Sequence, residues 1–177
     1  MEFRRELLPG AWLVSLRKLS DARGSFVKTF ARSVFDAHGA AFDFDEEFYS
    51  VSRKDVVRGM HFQRPPHDHA KLVYCAAGAV LDVLVDLRRG PAQGRVESVV
   101  LGDHEPLALL IPSGVAHGFK ALQDNSLMVY KTSTEYFPSH DAGVRWDSIG
   151  FDWDVESPIV SERDAMHPAL ADFESPF

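Results

Sequence analysis

Apolar and polar residues alternate with a period of two along most of this chain, which is the pattern of half-buried β-strands. Turn sequences containing Gly, Pro, Asp or Asn separate the alternating runs. In the first half of the chain, only ARSVFDAHGA predicts a helix, a short one that ends at Gly39. Short strands at this spacing predict an antiparallel sandwich or barrel rather than alternating strands and helices. We predict strands over residues 11–16, 25–30, 42–52, 56–63, 71–76, 79–88, 96–102, 107–112, 113–122 and 126–134.

Composition narrows the class of protein. With 177 residues, 45% of them hydrophobic and 25% charged, the chain fits one globular domain over residues 1–177. A net charge of −7 argues against a broad nucleic-acid-binding surface. The single Cys75 excludes an internal disulfide and is predicted to be buried. No apolar run is long enough for a membrane span or a signal peptide, so we expect a cytoplasmic protein with no membrane partner.

Four ionisable residues occupy the predicted strands where burial should be greatest: Arg58, His61, Lys71 and His117. Each alone is more often a hydrogen-bonded core residue or a solvated strand end. Buried charges are costly unless they are paired or functional. Four of them on the strands of one sheet face therefore indicate a site.

Two later residues extend this set, although each also has an ordinary structural interpretation. Tyr130 lies on a strand face with Met128 and Thr132, and Asp164 lies in the SERDA segment. A carboxylate behind a histidine makes it a better base, because it stabilises the imidazolium that forms on proton uptake. A tyrosine opposite that base could return a proton, and a lysine could stabilise an enolate.

A metal site is the competing interpretation. The His67-x-His69 pair followed by His117 is similar to the metal-binding motifs of cupins, whose imidazoles bind Fe, Mn or Zn. The glutamate expected after the pair is absent, and Lys71 stands in that region, where an ammonium would repel a cation. We therefore predict no metal there. The other imidazoles are predicted to be polar loop or surface residues: His67, His69, His104 and His167.

Eight motifs occur in an order that resembles one known family. They are DARGSF, VVRGMHFQ, AKLVYC, GAVLDVLVDLRRG, IPSGVAHGF, LMVYKTSTEYFP, GVRW and SERDA, over roughly residues 8–165. Together they resemble the dTDP-4-dehydrorhamnose 3,5-epimerase family. The resemblance implies a cupin-like antiparallel jelly-roll β-sandwich with a few short helices, no cofactor and no metal, and a homodimer. It also implies inversion of C3, C5 or both in a nucleotide-linked 4-keto-deoxyhexose, within deoxysugar and cell-surface polysaccharide biosynthesis.

The same resemblance assigns roles by position. His61 matches the base, Asp164 its carboxylate partner, Tyr130 the acid that reprotonates from the opposite face, and Lys71 the group near the keto oxygen. Further positions match residues that contact the nucleotide, the diphosphate or the sugar: Arg23, Phe26, Arg58, His117, Tyr136 and Arg163.

Several positions depart from the family pattern, and three of them bear on the substrate. Lys28 replaces a usual Glu, Glu46 a usual Gln, and Phe48 a usual Asn, and all three are expected near the substrate. These departures leave the nucleotide open between dTDP and another such as CDP, and they leave open the sugar and the number of centres inverted. Two alternatives to the epimerase are a metal-dependent cupin enzyme and a catalytically silent sugar-nucleotide-binding protein.

Overall fold

The alternating runs form two antiparallel sheets packed face to face. A computed structural model describes residues 1–40 and 43–177. One sheet has six strands and the other five, and a separate two-stranded hairpin completes the strands described. Residues of both sheets share one buried cluster, which makes the arrangement a sandwich. The prediction of an all-β, cupin-like jelly roll with few short helices is confirmed.

The elements follow one another in this order: β1 (Glu2–Leu8), β2 (Ala11–Ser15), β3 (Arg17–Asp21), β4 (Gly24–Lys28), α1 (Arg32–Ala37), β5 (Glu46–Ser52), β6 (Val57–Gln63), β7 (Lys71–Ala77), β8 (Ala79–Asp86), β9 (Val96–Gly102), β10 (Leu107–Ile111), β11 (Val115–Ala121), β12 (Ser126–Thr132), β13 (Asp141–Gly143) and α2 (Glu162–Ala165), with short 3₁₀ turns at Trp146–Ser148 and Leu170–Asp172. The six-stranded sheet has the order β1-β2-β10-β7-β12-β5, and the five-stranded sheet the order β13-β6-β11-β8-β9. Strands β3 and β4 form the hairpin.

Burial follows the alternation of the sequence. In β12, Met128, Tyr130 and Thr132 are buried and the residues between them are half-buried. Because successive side chains of a strand point to opposite faces, one face of β12 lies in the interior of the sandwich. In β11, by contrast, all residues from Val115 to Ala121 are buried, because both faces of that central strand are covered.

The outer faces of both sheets are covered by segments outside them. Phe35 of α1 packs with Leu72 and Leu110 against the six-stranded sheet. Trp153, in the segment after β13, packs with Met60 against the five-stranded sheet. The tail therefore closes the second face of the sheet that carries His61, and it brings α2 close to β6. No helix among the described residues is long and apolar enough to cross a membrane.

Three strands were not predicted, and the predicted strand 42–52 begins later. The charged sequence of β1 hides its period, and as an edge strand it tolerates polar residues and pairs irregularly with β2. Strand β3 is exposed throughout, and β13 has only three residues, so neither shows an apolar alternation. Strand β5 begins at Glu46, and Phe42 of the predicted strand lies outside the described residues.

Candidate active site

A cavity opens between the two sheets. It is lined by residues of β5, β6, β7, β11, β12, β13 and α2 and of the segments before β7 and before β13. Its walls come from distant parts of the chain, which the sandwich brings together. The site residues predicted from the sequence that line it are Glu46, Phe48, Arg58, His61, Lys71, His117, Tyr130, Tyr136 and Arg163.

A break in the alternation of β6 puts both Arg58 and His61 into this cavity. Residues three apart on a regular strand point to opposite faces. Here His61 pairs with His117 and Arg58 with Phe119, so β6 has one more residue than β11 over this stretch. Gly59 lies in the bulge with a φ of +142°, and a Cβ there would come within 2.6 Å of the Gly118 Cα. The bulge therefore shifts the alternation of β6 by one residue, so that Arg58 and His61 both reach the cavity.

Asp164 lies behind His61 and holds its ring. Its Oδ1 is 2.8 Å from the His61 Nε2, and its Oδ2 accepts a hydrogen bond from the Gly59 backbone N–H at 3.1 Å. The Ser161 hydroxyl caps α2 by accepting from the Asp164 backbone N–H at 3.1 Å. Burial opposes ionisation of Asp164, but the hydrogen bonds from His61 and Gly59 outweigh it and lower the pKa of the carboxyl. The ionised carboxylate thus orients His61 with Nδ1 as the nitrogen left for a substrate.

Lys71 is the buried cation of the cavity, with 7% of its surface exposed. Its ammonium donates to the His61 carbonyl oxygen at 3.1 Å. Burial lowers the pKa of Lys71 to about 8, although the carboxylates of Asp141 and Asp82 oppose that shift. An ammonium so placed can stabilise negative charge that develops on a substrate oxygen.

Tyr130 lies on the six-stranded sheet, as Lys71 does, whereas Arg58, His61 and His117 lie on the five-stranded sheet. The four ionisable residues predicted from the strands therefore face one cavity from two sheets and do not share one sheet face.

The Tyr130 ring is held on several sides. The Phe48 ring, directly opposite on β5, is stacked on it with centroids 4.8 Å apart. The His117 ring meets its edge at 6.0 Å, and the Ser50 hydroxyl lies 3.4 Å from its own. Burial raises the pKa of Tyr130, so the phenol keeps its proton at neutral pH.

A second histidine–carboxylate pair is formed by His117, which lines the cavity, and Asp82. The His117 Nε2 is 2.8 Å from the Asp82 Oδ2, and both side chains are buried. Burial raises the pKa of Asp82, and His117 opposes that shift. Asp82 was not predicted, although a carboxylate on the same face of β8 as Val80 and Leu84 is a signal in the sequence.

At the mouth of the cavity, Asp141 organises two predicted residues. Its Oδ2 accepts from the Tyr136 hydroxyl at 3.1 Å and pairs with the Arg163 guanidinium at 2.6 Å. Arg58 donates to the Ser52 hydroxyl at 3.1 Å. Nothing in the local sequence distinguishes Asp141 from a surface acid, because its position depends on the short strand β13.

Three predicted substrate-binding residues lie elsewhere. Arg23, Phe26 and Lys28 belong to the β3–β4 hairpin or its turn, and none of them lines the cavity of this chain. Arg23 pairs with Asp21 at 2.5 Å, and Phe26 is 62% exposed. The single chain therefore does not bring these residues to His61.

The prediction that His167 is a surface residue is wrong. Its side chain is 14% exposed, its ring meets that of His61 edge to face at 5.9 Å, and its Nε2 lies 4.0 Å from the Asp164 Oδ1. Burial and the neighbouring His61 lower the pKa of His167. The fold of the tail over β6, which the sequence does not show, causes this placement.

The cupin-type metal ligands do not converge among the described residues. His67 stacks on Phe137, and His117 is committed to Asp82. His69, predicted as a loop residue, lines the cavity, where its Nδ1 lies 3.1 Å from the Gln63 Nε2. Burial and the adjacent Lys71 lower the pKa of His69 to about 3, so its ring is neutral.

Known proteins resemble this chain over almost its whole length. The family model described as dTDP-4-dehydrorhamnose 3,5-epimerase matches residues 5–172. A curated protein of that name from Mycolicibacterium smegmatis is 38% identical over 97% of this chain and 87% of its own.

Two solved structures share the fold. NovW, a 4-keto-6-deoxy sugar epimerase from the novobiocin cluster of Streptomyces spheroides, has a TM-score of 0.93 at 35% identity over 97% of this chain and 88% of its own. ChmJ, a 3′-monoepimerase from Streptomyces bikiniensis in complex with dTDP-quinovose, has a TM-score of 0.86 at 33% identity. The match covers 92% of this chain and 84% of ChmJ. The chain therefore belongs to the dTDP-4-dehydrorhamnose 3,5-epimerase family, and it is an epimerase of the isomerase class.

Proposed function

We propose that this epimerase inverts C3, C5 or both in a nucleotide-linked 4-keto-deoxyhexose by removing a proton from one face and returning one to the other. The observation that carries the proposal is the placement of a carboxylate-backed histidine and a protonated tyrosine on opposite sheets around one cavity. Epimerisation by an acid and a base needs one group on each face of the reacting carbon. The interior of the sandwich supplies two facing sheets that can carry these groups.

The proposed steps balance without a cofactor. The Nδ1 of His61 takes the proton next to the ketone, the C–H electron pair becomes the enolate, and its negative oxygen is stabilised by the Lys71 ammonium. Asp164 stabilises the imidazolium through Nε2. The Tyr130 hydroxyl then gives its proton to the carbon from the opposite face, and the carbonyl re-forms. Solvent returns both side chains to their starting protonation states.

The charges at the cavity support a nucleoside-diphosphate sugar as the proposed substrate. Arg58 and Arg163 line it, and both are partly exposed. Guanidinium groups suit diphosphate oxygens. The family relative ChmJ was solved with dTDP-quinovose, which is a sugar of this class. Nucleotide sugars are made from nucleoside triphosphates, so we also place the enzyme in the cytoplasm.

We further propose that two copies of the chain form a homodimer and that the β3–β4 hairpin serves the partner's cavity. The hairpin carries Phe26 with an exposed ring, and β5 presents exposed Tyr49 and Val51 on its outer face. The family resemblance assigns Arg23 and Phe26 to the nucleotide, yet they lie outside this chain's own cavity. A second copy would resolve that difference. Sedimentation of the wild type and of Tyr49→Asp tests the dimer, which the variant should weaken.

Solvent-isotope exchange tests the reaction. Sugar nucleotides with a 4-keto group and dTDP, CDP or UDP are incubated with enzyme in heavy water, and NMR locates the deuterium. We expect label at C3 or C5, inverted product, and no label with His61→Asn. A catalytically silent binding protein would incorporate none, and a metal-dependent cupin enzyme would lose activity with EDTA. Wild-type rates of wash-in by His61→Asn would overturn the assignment of the base.

A further inference from the structure

The proposed base belongs to a cluster of three potential metal ligands, and the proposed reaction does not use them to bind a metal. One ring nitrogen of His61, one carboxylate oxygen of Asp164 and one ring nitrogen of His167 all lie within 4.8 Å of one another. The His61 nitrogen that faces Asp164 is Nε2. Two imidazoles and one carboxylate form a donor set that binds zinc and its transition-metal neighbours. This cluster is distinct from the cupin-type histidines, which do not converge.

His167 contributes an imidazole nitrogen without a hydrogen-bond partner. Among the described residues, its Nε2 is buried and makes no hydrogen bond. The nitrogen fits there because Gly143 lacks a side chain, since a Cβ at that position would come within 2.5 Å of it. Buried polar atoms normally have a partner, so this nitrogen, which lies 4.0 Å from a carboxylate oxygen, is available to a ligand.

We propose that a divalent transition-metal ion of the zinc class binds to His61, Asp164 and His167 and inhibits the enzyme. Zinc binds imidazole nitrogen and carboxylate oxygen at about 2.0–2.2 Å, which separates tetrahedral ligands by roughly 3.3–3.5 Å. The present separations from the Asp164 Oδ1 are 2.8 Å to His61 and 4.0 Å to His167. These two separations therefore have to change by less than about 1 Å to hold the ion, and the separation of the two ring nitrogens, which is within 4.8 Å, by up to about 1.5 Å.

The surroundings give the ion a route into the site. They also leave one coordination position of the ion open. The His61 side chain is 29% exposed and lines the cavity, so the ion has a route from solvent, and water can fill the fourth position. The nearby positive charge of Arg163 is offset by its ion pair with Asp141 at 2.6 Å. Magnesium and calcium prefer oxygen ligands, so they fit this set poorly.

Inhibition follows from the two nitrogens of His61. In the proposed reaction, Nε2 carries the proton shared with Asp164, and Nδ1 has the free electron pair that accepts the substrate proton. A metal ion needs the Nε2 electron pair, so it displaces that proton, and the neutral ring then carries its proton on Nδ1. The base is blocked while the ion is bound. This inhibitory part rests on the proposed function, whereas metal binding itself does not.

Direct metal binding tests the site without reference to activity. Tag-free, metal-stripped wild type, His167→Ala and the matched control His104→Ala are titrated with Zn²⁺ by calorimetry and with Co²⁺ by visible absorption. His104 is an exposed imidazole in a turn outside the cluster. We expect one ion per chain in wild type and His104→Ala, and roughly 100-fold weaker binding in His167→Ala, since one of three protein ligands is lost.

Deuterium wash-in measured with increasing Zn²⁺ tests the inhibition. We expect wild type and His104→Ala to lose activity as the site fills, EDTA to restore it, and His167→Ala to exchange at high Zn²⁺. Equal Zn²⁺ affinity of wild type and His167→Ala, or exchange that persists with the site filled, would overturn the proposal. If neither the wild type nor the variants incorporate deuterium without metal, the proposed function fails. The calorimetry still decides whether the metal site exists.

Discussion

Replacing Asp164 with asparagine changes one atom of the proposed dyad and predicts a large loss of activity with the fold retained. The Gly59 N–H donates to Asp164 at 3.1 Å inside the protein, so the asparagine carbonyl oxygen is expected to keep that bond. The amide NH₂ then faces the His61 Nε2, which must accept a hydrogen bond, and the proton moves to Nδ1. Turning the amide round restores the tautomer but sets two donors against each other at Gly59, which costs about 1–3 kcal/mol.

A second loss adds to the first. A neutral amide stabilises the imidazolium less than a carboxylate does, because hydrogen bonds to charged groups are about twice as strong, a difference of about 1–2 kcal/mol. The sum, about 2–5 kcal/mol, corresponds to a rate reduced roughly 30- to 5,000-fold. The assay is the initial rate of deuterium wash-in, with the melting temperature as the check on folding. Asp147→Asn, which changes an exposed ion pair with Arg145, is the matched control. A folded Asp164→Asn enzyme within about threefold of wild type would refute the dyad.

Three further changes test the rest of the cavity. Because the pKa of Lys71 is lowered to about 8, kcat/KM should fall as pH rises through that value and the ammonium is lost, and Lys71→Met should remove that alkaline limb; a limb that persists in the variant contradicts the role. Tyr130→Phe should impair net inversion, followed by NMR of the product, more than initial wash-in, and equal loss of both would argue against Tyr130 as the acid. Phe48→Asn removes the ring stacked on Tyr130, so denaturant titration should show a free energy of unfolding lower by about 0.5–1.5 kcal/mol, and an unchanged value would show that the stack contributes nothing.

The sequence predicted the fold because most strands have one face in the interior, and a period of two records which face that is. Strand β12 shows this clearly, since Met128, Tyr130 and Thr132 alternate with less buried residues. The same reasoning placed Tyr130 correctly beside the core. It could not detect β1, whose edge position tolerates charge, or the exposed strand β3. The local alternation of apolar and polar residues therefore predicts burial well, but it predicts strand pairing poorly.

Part of the site depended on the family resemblance, because no local pattern connects its members. His61 and Asp164 are separated by 103 positions, and the SERDA segment looks like an ordinary helix start with a surface acid. Only the ordered set of motifs linked them. The resemblance also assigns Arg23 and Phe26 to the nucleotide, but the fold of the single chain does not bring them to the cavity that His61 lines.

Strict alternation fails at β6, and the failure determines what the site can do. Arg58 and His61 should face opposite ways, yet both reach the cavity because the bulge at Gly59 inserts an extra residue opposite β11. The bulge also aims the Gly59 N–H at Asp164, so one irregularity sets the direction of His61 and holds its carboxylate. On the other flank of β6, the missing side chain of Gly143 leaves the space that His167 fills. Residues without side chains therefore fix the positions of the base, its partner and the unpaired imidazole, and such close approaches of backbone leave no trace in a hydrophobic pattern.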